Sequence, residues 1–494
     1  MKEIQRQTLY NSITAYLGIL LGYLNIGILF PFILTTEQIG LYSVIAAVGN
    51  IASNFVKFGT PYIIVRYFPF FKNDANNRAR FNGFQLFLVA VGAAFFVLAY
   101  TLLQPYIVER YQVESPLFAT YNHLVVPFTI FMLLFELFYS FCRANYFTVA
   151  AGFARDLLFR IAIFALIICY HFDVISFEQF IWIYSFVYAL PTIFLTAYLI
   201  IKNELPVSFR FGSLPQIKEM LIYGGFVSLG SLSTVLINDL DKIMITDMVG
   251  LGSAGVYAIA AFFGSVIVTP ARSLNMIAGP VIAQFMKDGE MDKIARVYSK
   301  SSITLLASGL LLFIGLYINL HNIFAILPPE FAAGYYVIVF IGLSKIFEMA
   351  TGTNGEIIMN SKYFRYDLVF NIILVTLAIC SNLIFIPLYG ISGAALAMAI
   401  SILLYDSLKG LFVYWKFRIQ PFTIQTLYCL IIGVIVLAVN YVIPRWGFWP
   451  VDLLIRSTIA VVIYVPLLLF FKISPDINDL VAKMLAEARK RVGM

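Results

Sequence analysis

The apolar residues of this chain come in blocks of about 20, separated by short polar gaps, and this spacing constrains the fold more than any motif does. A block of about 20 residues is what an α-helix needs to cross about 30 Å of hydrocarbon. Lipid also requires every backbone N–H and C=O to be paired within the protein, which a helix achieves alone. Strands of a lipid-facing barrel would instead show short alternating segments, and none are evident. Composition points the same way. Only 12% of the 494 residues are charged and 61% are hydrophobic, against about 25% charged in soluble domains. So few charges could not solvate the surface of one soluble core of this length. The expectation is an all-α, polytopic membrane protein. Its spans fall near 9–31, 40–64, 82–103, 120–142, 155–171, 178–200, 219–239, 252–272, 301–320, 331–351, 367–387, 390–413, 424–443 and 453–471, about 14 transmembrane helices. The segment Tyr10 to Phe30 is too long for the apolar region of a cleavable signal and leads into further spans.

The net charge of +7 reads as topology rather than nucleic-acid binding, because the basic residues collect in alternate gaps. Placing the N-terminus inside puts Lys2, Arg6, Arg66, Lys72, Arg78, Arg80, Arg143 and most later cations on the cytoplasmic side. Only Arg110, Lys242, Arg445 and Arg456 fall outside. The positive-inside rule then predicts a multi-pass protein of the cell inner (cytoplasmic) membrane with both termini cytoplasmic. Outside gaps are short, the longest running from about Gln104 to Ala119, which leaves no room for a soluble domain. In the tail, Ile477, Leu480, Val481, Met484, Leu485 and Ala488 have helical spacing, opposite Lys483 and Arg489 to Arg491. The tail reads either as an interfacial amphipathic helix or as a plain solvated end. Cys142, Cys169, Cys380 and Cys429 lie in or beside apolar blocks without metal-ligand spacing, and no disulfide framework is expected. His123, His171 and His321 sit at external span ends, as interface residues do.

The chain resembles itself. Gly40-Leu41-Tyr42 and Gly255-Val256-Tyr257 lie 215 residues apart, as do Phe71-Lys72 and Met286-Lys287. Asp156-Leu157-Leu158-Phe159 pairs with Asp367-Leu368-Val369-Phe370, and Cys169 with Cys380, both at an offset of 211. Together these matches predict two copies of a six-helix bundle in parallel orientation, two pseudo-symmetric lobes followed by two C-terminal helices. The expected divisions are 1–206, 207–420, helices 13 and 14 over 421–473, and a basic cytoplasmic tail over 474–494. Two like bundles suit an alternating-access transporter, although duplication alone would leave the same trace.

Charges inside the spans sharpen this reading. The 215-residue offset carries Lys57 onto Arg272, Asn50 onto Ser265 and Asn54 onto Thr269. Each set recurs at about one helical turn, giving a polar stripe that ends in a cation. Polar groups at membrane depth are costly unless they face a cavity or a partner, so two such stripes predict a wet, cationic, substrate-binding cavity. The competing reading is that Lys57 and Arg272 snorkel to headgroups. Glu136 and Glu348 are 212 residues apart, and Lys345 precedes Glu348 by one turn. Either glutamate is a candidate proton or sodium site, and the Lys345–Glu348 pair could equally be structural. Phosphate loops, zinc-ligand spacings and nucleophile–base arrangements are all missing, so the expectation is no enzyme, no metal and no cofactor beyond a proton or sodium gradient.

Several local features resemble a known group. Asp241-Lys242-Ile243-Met244-Ile245 is followed by Gly250 and by Gly255-Val256-Tyr257-Ala258. Gly59 to Arg66 reads Gly-Thr-Pro-Tyr-Ile-Ile-Val-Arg, and span 12 opens with Gly390-Ile391-Ser392-Gly393-Ala394-Ala395. With these features the chain resembles, over essentially its whole length, the polysaccharide-export (oligosaccharide flippase) family of the multidrug/oligosaccharidyl-lipid/polysaccharide superfamily. The resemblance implies two lobes around a central cavity. It also implies transfer of an undecaprenyl-diphosphate-linked oligosaccharide across the cytoplasmic membrane for O-antigen, capsule or exopolysaccharide assembly. Lys57, Arg66, Arg272 and Lys345 are the cations it would set against diphosphate or acidic sugar. Implied partners are membrane lipids, a polysaccharide polymerase and glycosyltransferases, and no nucleic acid. Two other readings within the superfamily are a multidrug/cation antiporter, which would favour acidic cavity residues, and a lipid-II-type flippase. A membrane glycan polymerase or ligase would need a sizeable external loop, and the gaps do not provide one.

Overall fold

The computed structural model describes residues 2–210, 214, 216–479, 481 and 483, without the side chains of 2–9, 12, 272 and 273. The side chain of Arg272 and most of the tail beyond residue 479 therefore lie outside the described residues. All regular structure in the described residues is helical. The chain forms two compact units, 1–259 and 260–494.

The first unit comprises α1 (Lys2–Gly22), α2 (Thr36–Val56), α3 (Thr60–Phe71), α4 (Ala75–Tyr111), α5 (Val125–Ala144), α6 (Phe159–His171), α7 (Phe177–Ser185), α8 (Ala189–Ile201), α9 (Ile217–Met248) and the start of α10 (Leu251–Ser265). Helix α2 begins with a capping box: the Thr35 hydroxyl accepts from the Gln38 N–H, and the Gln38 carboxamide accepts from the Thr35 N–H. It ends at Lys57, where Phe58 and Gly59 take positive φ of 48° and 71° before Thr60-Pro61 opens α3. Gly59 is required twice over. Its φ is left-handed, and a Cβ there would lie 2.2 Å from the Gly224 carbonyl oxygen of α9. Helix α9 packs along α2, although the repeat assigns it to the second copy.

The second unit contains α11 (Thr269–Asp288), α12 (Met291–Ile318), α13 (Tyr335–Thr351), α14 (Arg365–Phe417), α15 (Ile424–Val442) and α16 (Trp449–Phe470). Leu306, Leu310, Ile314, Met349, Val436 and Tyr464 share one core, so the two last helices are packed into this unit. The Tyr464 hydroxyl donates to the Ala307 carbonyl at 2.9 Å. Helix α14 has 53 residues, about 80 Å if it were straight and well beyond the thickness of a bilayer. It is not straight. Gly390 adopts φ 58°, ψ −135°, and a Cβ on Gly393 would lie 1.9 Å from the Phe385 carbonyl oxygen. Ser381 meets Ser401 at 3.0 Å, the Tyr405 hydroxyl donates to Asn371 at 2.9 Å, and Lys409 donates to Asp367 at 2.7 Å. These contacts make the stretch a helical hairpin whose arms are the expected spans 367–387 and 390–413.

Among the described residues twelve helices are long and apolar enough to cross a membrane, with the α14 hairpin counted once. The expected span 155–171 lies within the continuous helical run 148–171, which is not among the twelve. Leu102, Leu388, Leu411, Val434 and Val462 are more than 60% exposed, as lipid-facing side chains are and soluble-core residues are not. The helices also outrun their apolar blocks and take in three of the cations expected outside. Arg110 lies in the last turn of α4, Lys242 within α9 and Arg456 within α16. Each is tied to a carboxylate: Arg110 to Asp247 on α9, Lys242 to Asp239 and Arg456 to Asp452 within their own helices.

The repeated spans are broken at different depths. Helix α2 runs 21 residues before its break, whereas α10 runs 15 before the short 3₁₀ turn Val266–Val268. After each break a Thr-Pro pair opens the next helix, Thr60-Pro61 and Thr269-Pro270. Lys57 therefore closes the first segment of its span, while Arg272 lies in the second segment of its own. The two cations match in distance from the span start but not in helical segment.

Candidate functional site

In the first unit, the stripe foreseen on α2 meets charges on α9. Asn54 donates its amide to the Asn50 carbonyl at 2.9 Å and to the Asn50 side-chain oxygen at 3.1 Å. Asn50 in turn donates to Asp239 Oδ2 at 2.6 Å, and Lys242 donates to Asp239 Oδ1 at 2.6 Å. Asp239 is 7% exposed, so its charge is held by a cation and an amide rather than by bulk water. One turn beyond Asn54, Lys57 is 6% exposed. Among the described residues nothing ion-pairs or hydrogen-bonds with its ammonium. The Tyr62 ring lies 5.6 Å away, and Glu136 is the carboxylate that acts on it electrostatically. Glu136 is half-buried on α5, with its backbone carbonyl accepting from Ser140. The result is a polar seam of Asn50, Asn54, Asp239 and Lys242, with an unpaired buried lysine at its end. Arg66 is exposed on α3, stacked over the rings of Tyr223 at 4.3 Å and Tyr67 at 5.6 Å.

The second unit is built differently. The Ser265 hydroxyl donates to the Phe262 carbonyl and that of Thr269 to the Val266 carbonyl, both at 2.7 Å, so each is satisfied within its own chain segment. Lys345 pairs with Glu348 at 2.8 Å, as the one-turn spacing implies. A larger set of charges lies on the α14 hairpin. Lys409, with 6% of its side chain exposed, is held by Asp367 at 2.7 Å and lies 4.5 Å from the Tyr405 ring. Asp406 is 4% exposed, and its Oδ2 has no hydrogen-bond partner among the described residues. Glu356 sits in the short helix Asn354–Met359, outside the spans. Burial, then the nearby Asp367 carboxylate, raises its pKa, against the opposing pull of Lys409.

Sequence reasoning placed Asn50, Asn54 and Lys57 on one face but missed Asp239, Glu356, Asp367, Asp406 and Lys409 as site residues, and did not foresee the pairing of Lys242 with Asp239. A signal was present: Asp406 and Lys409 lie three residues apart inside an otherwise apolar block, a spacing that puts both on one helix face. Among the described residues no group of three or more His, Cys, Asp or Glu could hold a metal ion.

A family model described as polysaccharide biosynthesis protein matches residues 4–286. Among solved structures, the chain is similar to the lipid II flippase MurJ in an inward closed conformation, with a TM-score of 0.69 and 16% identity, covering 96% of this chain and 100% of that one. It is also similar to an inward-facing multidrug resistance MATE family transporter of the MOP superfamily, with a TM-score of 0.63, 16% identity, and 83% and 94% coverage. A MOP superfamily transporter from Pyrococcus furiosus, noted for a binding pocket of reversed polarity, gives a TM-score of 0.55 at 14% identity, with 83% and 95% coverage. At these identities the likeness is one of fold. A search of curated proteins by sequence gives no match.

Proposed function

The chain belongs to the polysaccharide biosynthesis protein family of the multidrug/oligosaccharidyl-lipid/polysaccharide superfamily, and from that premise we propose that it is a flippase rather than an enzyme. Its cargo is an undecaprenyl-diphosphate-linked oligosaccharide, moved across the cytoplasmic membrane for surface polysaccharide assembly. The observation that carries this reading is Lys57: a buried cation with no ion-pair or hydrogen-bond partner among the described residues and only the electrostatic influence of Glu136, at the end of an amide-and-carboxylate seam on membrane-spanning helices. A lysine in that position is stabilised by an anion that arrives, and a diphosphate supplies one. The Asn50 amide, one of whose two protons goes to Asp239, and the Lys242–Asp239 pair offer hydrogen bonds that replace water around a polar glycan. Arg66 and Lys345 remain secondary cation candidates, and Arg272 is placed with them by sequence alone. Ser265 and Thr269 are weaker candidates, because their hydroxyl protons are already used. Glu136, beside Lys57, and Glu348, beside Lys345, are the candidates for proton or sodium coupling. The fold likeness to a lipid II flippase over 96% of the chain supports a lipid-linked cargo. Fourteen crossings with both termini cytoplasmic follow if each arm of α14 and the run 148–171 cross separately.

The second reading is a multidrug/cation antiporter, favoured by the acidic residues Asp406 and Glu348 in the second unit and by the fold likeness to a multidrug transporter. Purified protein in proteoliposomes with a labelled undecaprenyl-diphosphate oligosaccharide separates the two. Protein-dependent appearance of glycan in the opposite leaflet, with or without a proton or sodium gradient, is expected of the flippase. If several glycans fail to move while gradient-driven efflux of an organic cation proceeds, the antiporter reading takes its place.

A further inference from the structure

A cavity of about 500 Å³ opens in the second unit at the end of α15 and the start of α16, near the loop 443–448. It falls within the roughly 300–1,000 Å³ range of small-molecule pockets. Its base is rigid. Asp452 accepts from the Arg456 guanidinium at 2.8 Å, from Asn322 at 2.7 Å and from the Trp446 N–H at 3.0 Å. Arg456 also donates to the carbonyls of Asn440, Ile443 and Pro444. These bonds consume the one carboxylate that lines the cavity and fix the loop around it. Arg445 and His321, both exposed on the lining, are left with no acidic partner among the described residues. Tyr317, Tyr335 and Tyr441 add aromatic faces and hydroxyls. The surroundings give the depth: Tyr441, Trp446, Phe448 and Trp449 are exposed beside the opening, and such aromatic clusters mark the headgroup level of a bilayer.

We propose that this cavity is a binding site for the phosphate headgroup of an anionic membrane lipid, with Arg445 as its principal cation and His321 and the tyrosines as hydrogen-bonding partners. A free guanidinium beside neutral donors at the interface matches a phosphate oxygen cluster. The apolar flanks of α15 and α16 lie alongside for the acyl or prenyl chain. The site does not depend on the flippase reading, since it is separate from the Lys57 seam and requires only binding. Two lipids carry the same chemistry: a bulk phospholipid such as phosphatidylglycerol, and a polyprenyl phosphate.

The full chain in neutral detergent, titrated calorimetrically with short-chain phosphatidylglycerol, farnesyl phosphate and short-chain phosphatidylcholine, tests the proposal. Saturable binding of one or both anionic lipids, weakened about tenfold or more by Arg445→Ala, is expected from the loss of one charge-assisted hydrogen bond. The tighter of the two anionic ligands identifies the source. Arg445→Lys should recover part of the affinity and serves as a second, folded control. Equal affinity for phosphatidylcholine, or wild-type affinity in Arg445→Ala, would overturn the proposal. Because the readout is binding, its failure leaves the translocation assay untouched.

Discussion

At Lys57 the charge of a single ammonium is carried into the protein with no ion pair or hydrogen bond among the described residues. Lys57→Met keeps the length and apolar contacts of the side chain and removes the charge. Losing one charge-assisted contact worth about 1.5–3 kcal/mol is expected to slow glycan translocation by about ten- to a hundredfold while membrane abundance stays at wild-type level. Normal transport would show that the seam does not meet the cargo. Lys57→Ala combined with Arg272→Ala should fall at least as far as the Lys57 variant with membrane abundance unchanged, and normal transport from the double variant would reject the cationic site. Glu356 offers a pH test. Its carboxyl holds a proton to higher pH in the folded chain than in the unfolded one, chiefly through burial. Its contribution to stability is therefore fully present in acid and is lost as pH rises through the folded-state value. Glu356→Gln, a mimic of the protonated form, should raise the unfolding temperature at about pH 8, and the difference should close toward about pH 4. A difference independent of pH would mean that titration of Glu356 is not its cause.

At the level of elements, the α14 hairpin is held at its base by Asp367 and Lys409, whose side chains are 15% and 6% exposed. Asp367→Asn leaves the buried ammonium without its counter-charge, and the cost expected is about 3–5 kcal/mol of stability. Replacing both, with Asp367→Leu and Lys409→Met, should recover most of it, because the two desolvation costs disappear together. Unfolding in detergent of the wild type, both single variants and the double variant measures this. Additive losses would show that the pair is not coupled. The turn of the hairpin was legible in Pro387 and Gly390, since a proline and a left-handed glycine interrupt a helix by themselves. The contacts that close the two arms were not. Asp367 and Lys409 lie 42 residues apart, and no local periodicity relates them.

For the molecule as a whole, the proposed topology sets both ends of that hairpin on the cytoplasmic side. In a cysteine-free background, Lys362→Cys and Lys416→Cys should react with an impermeant maleimide only after the membrane is opened, and Tyr389→Cys before it is. Labelling of positions 362 and 416 from opposite sides would reject both the hairpin crossing and the fourteen-span count. Labelling of Arg445→Cys in intact cells would place the lipid site on the outer face.

The sequence by itself determined the all-helical membrane architecture, because lipid imposes one requirement on every span: apolar residues over the thickness of the bilayer. It also determined which residues of α2 share a face, since helical period is local. Family membership was legible in the short motifs around Asp241-Lys242 and Gly255 to Ala258. What only the tertiary structure decided is where charges meet. Lys242 lies past the end of its apolar block, and the sequence did not show that α9 continues through it or that Asp239 pairs with it. The equivalence of Lys57 and Arg272 looked sound as an offset, but a helix break moved by a few residues places them in different segments. Ion pairs and helix breaks depend on which helices pack together, and that is a property of the folded chain rather than of any one of its segments.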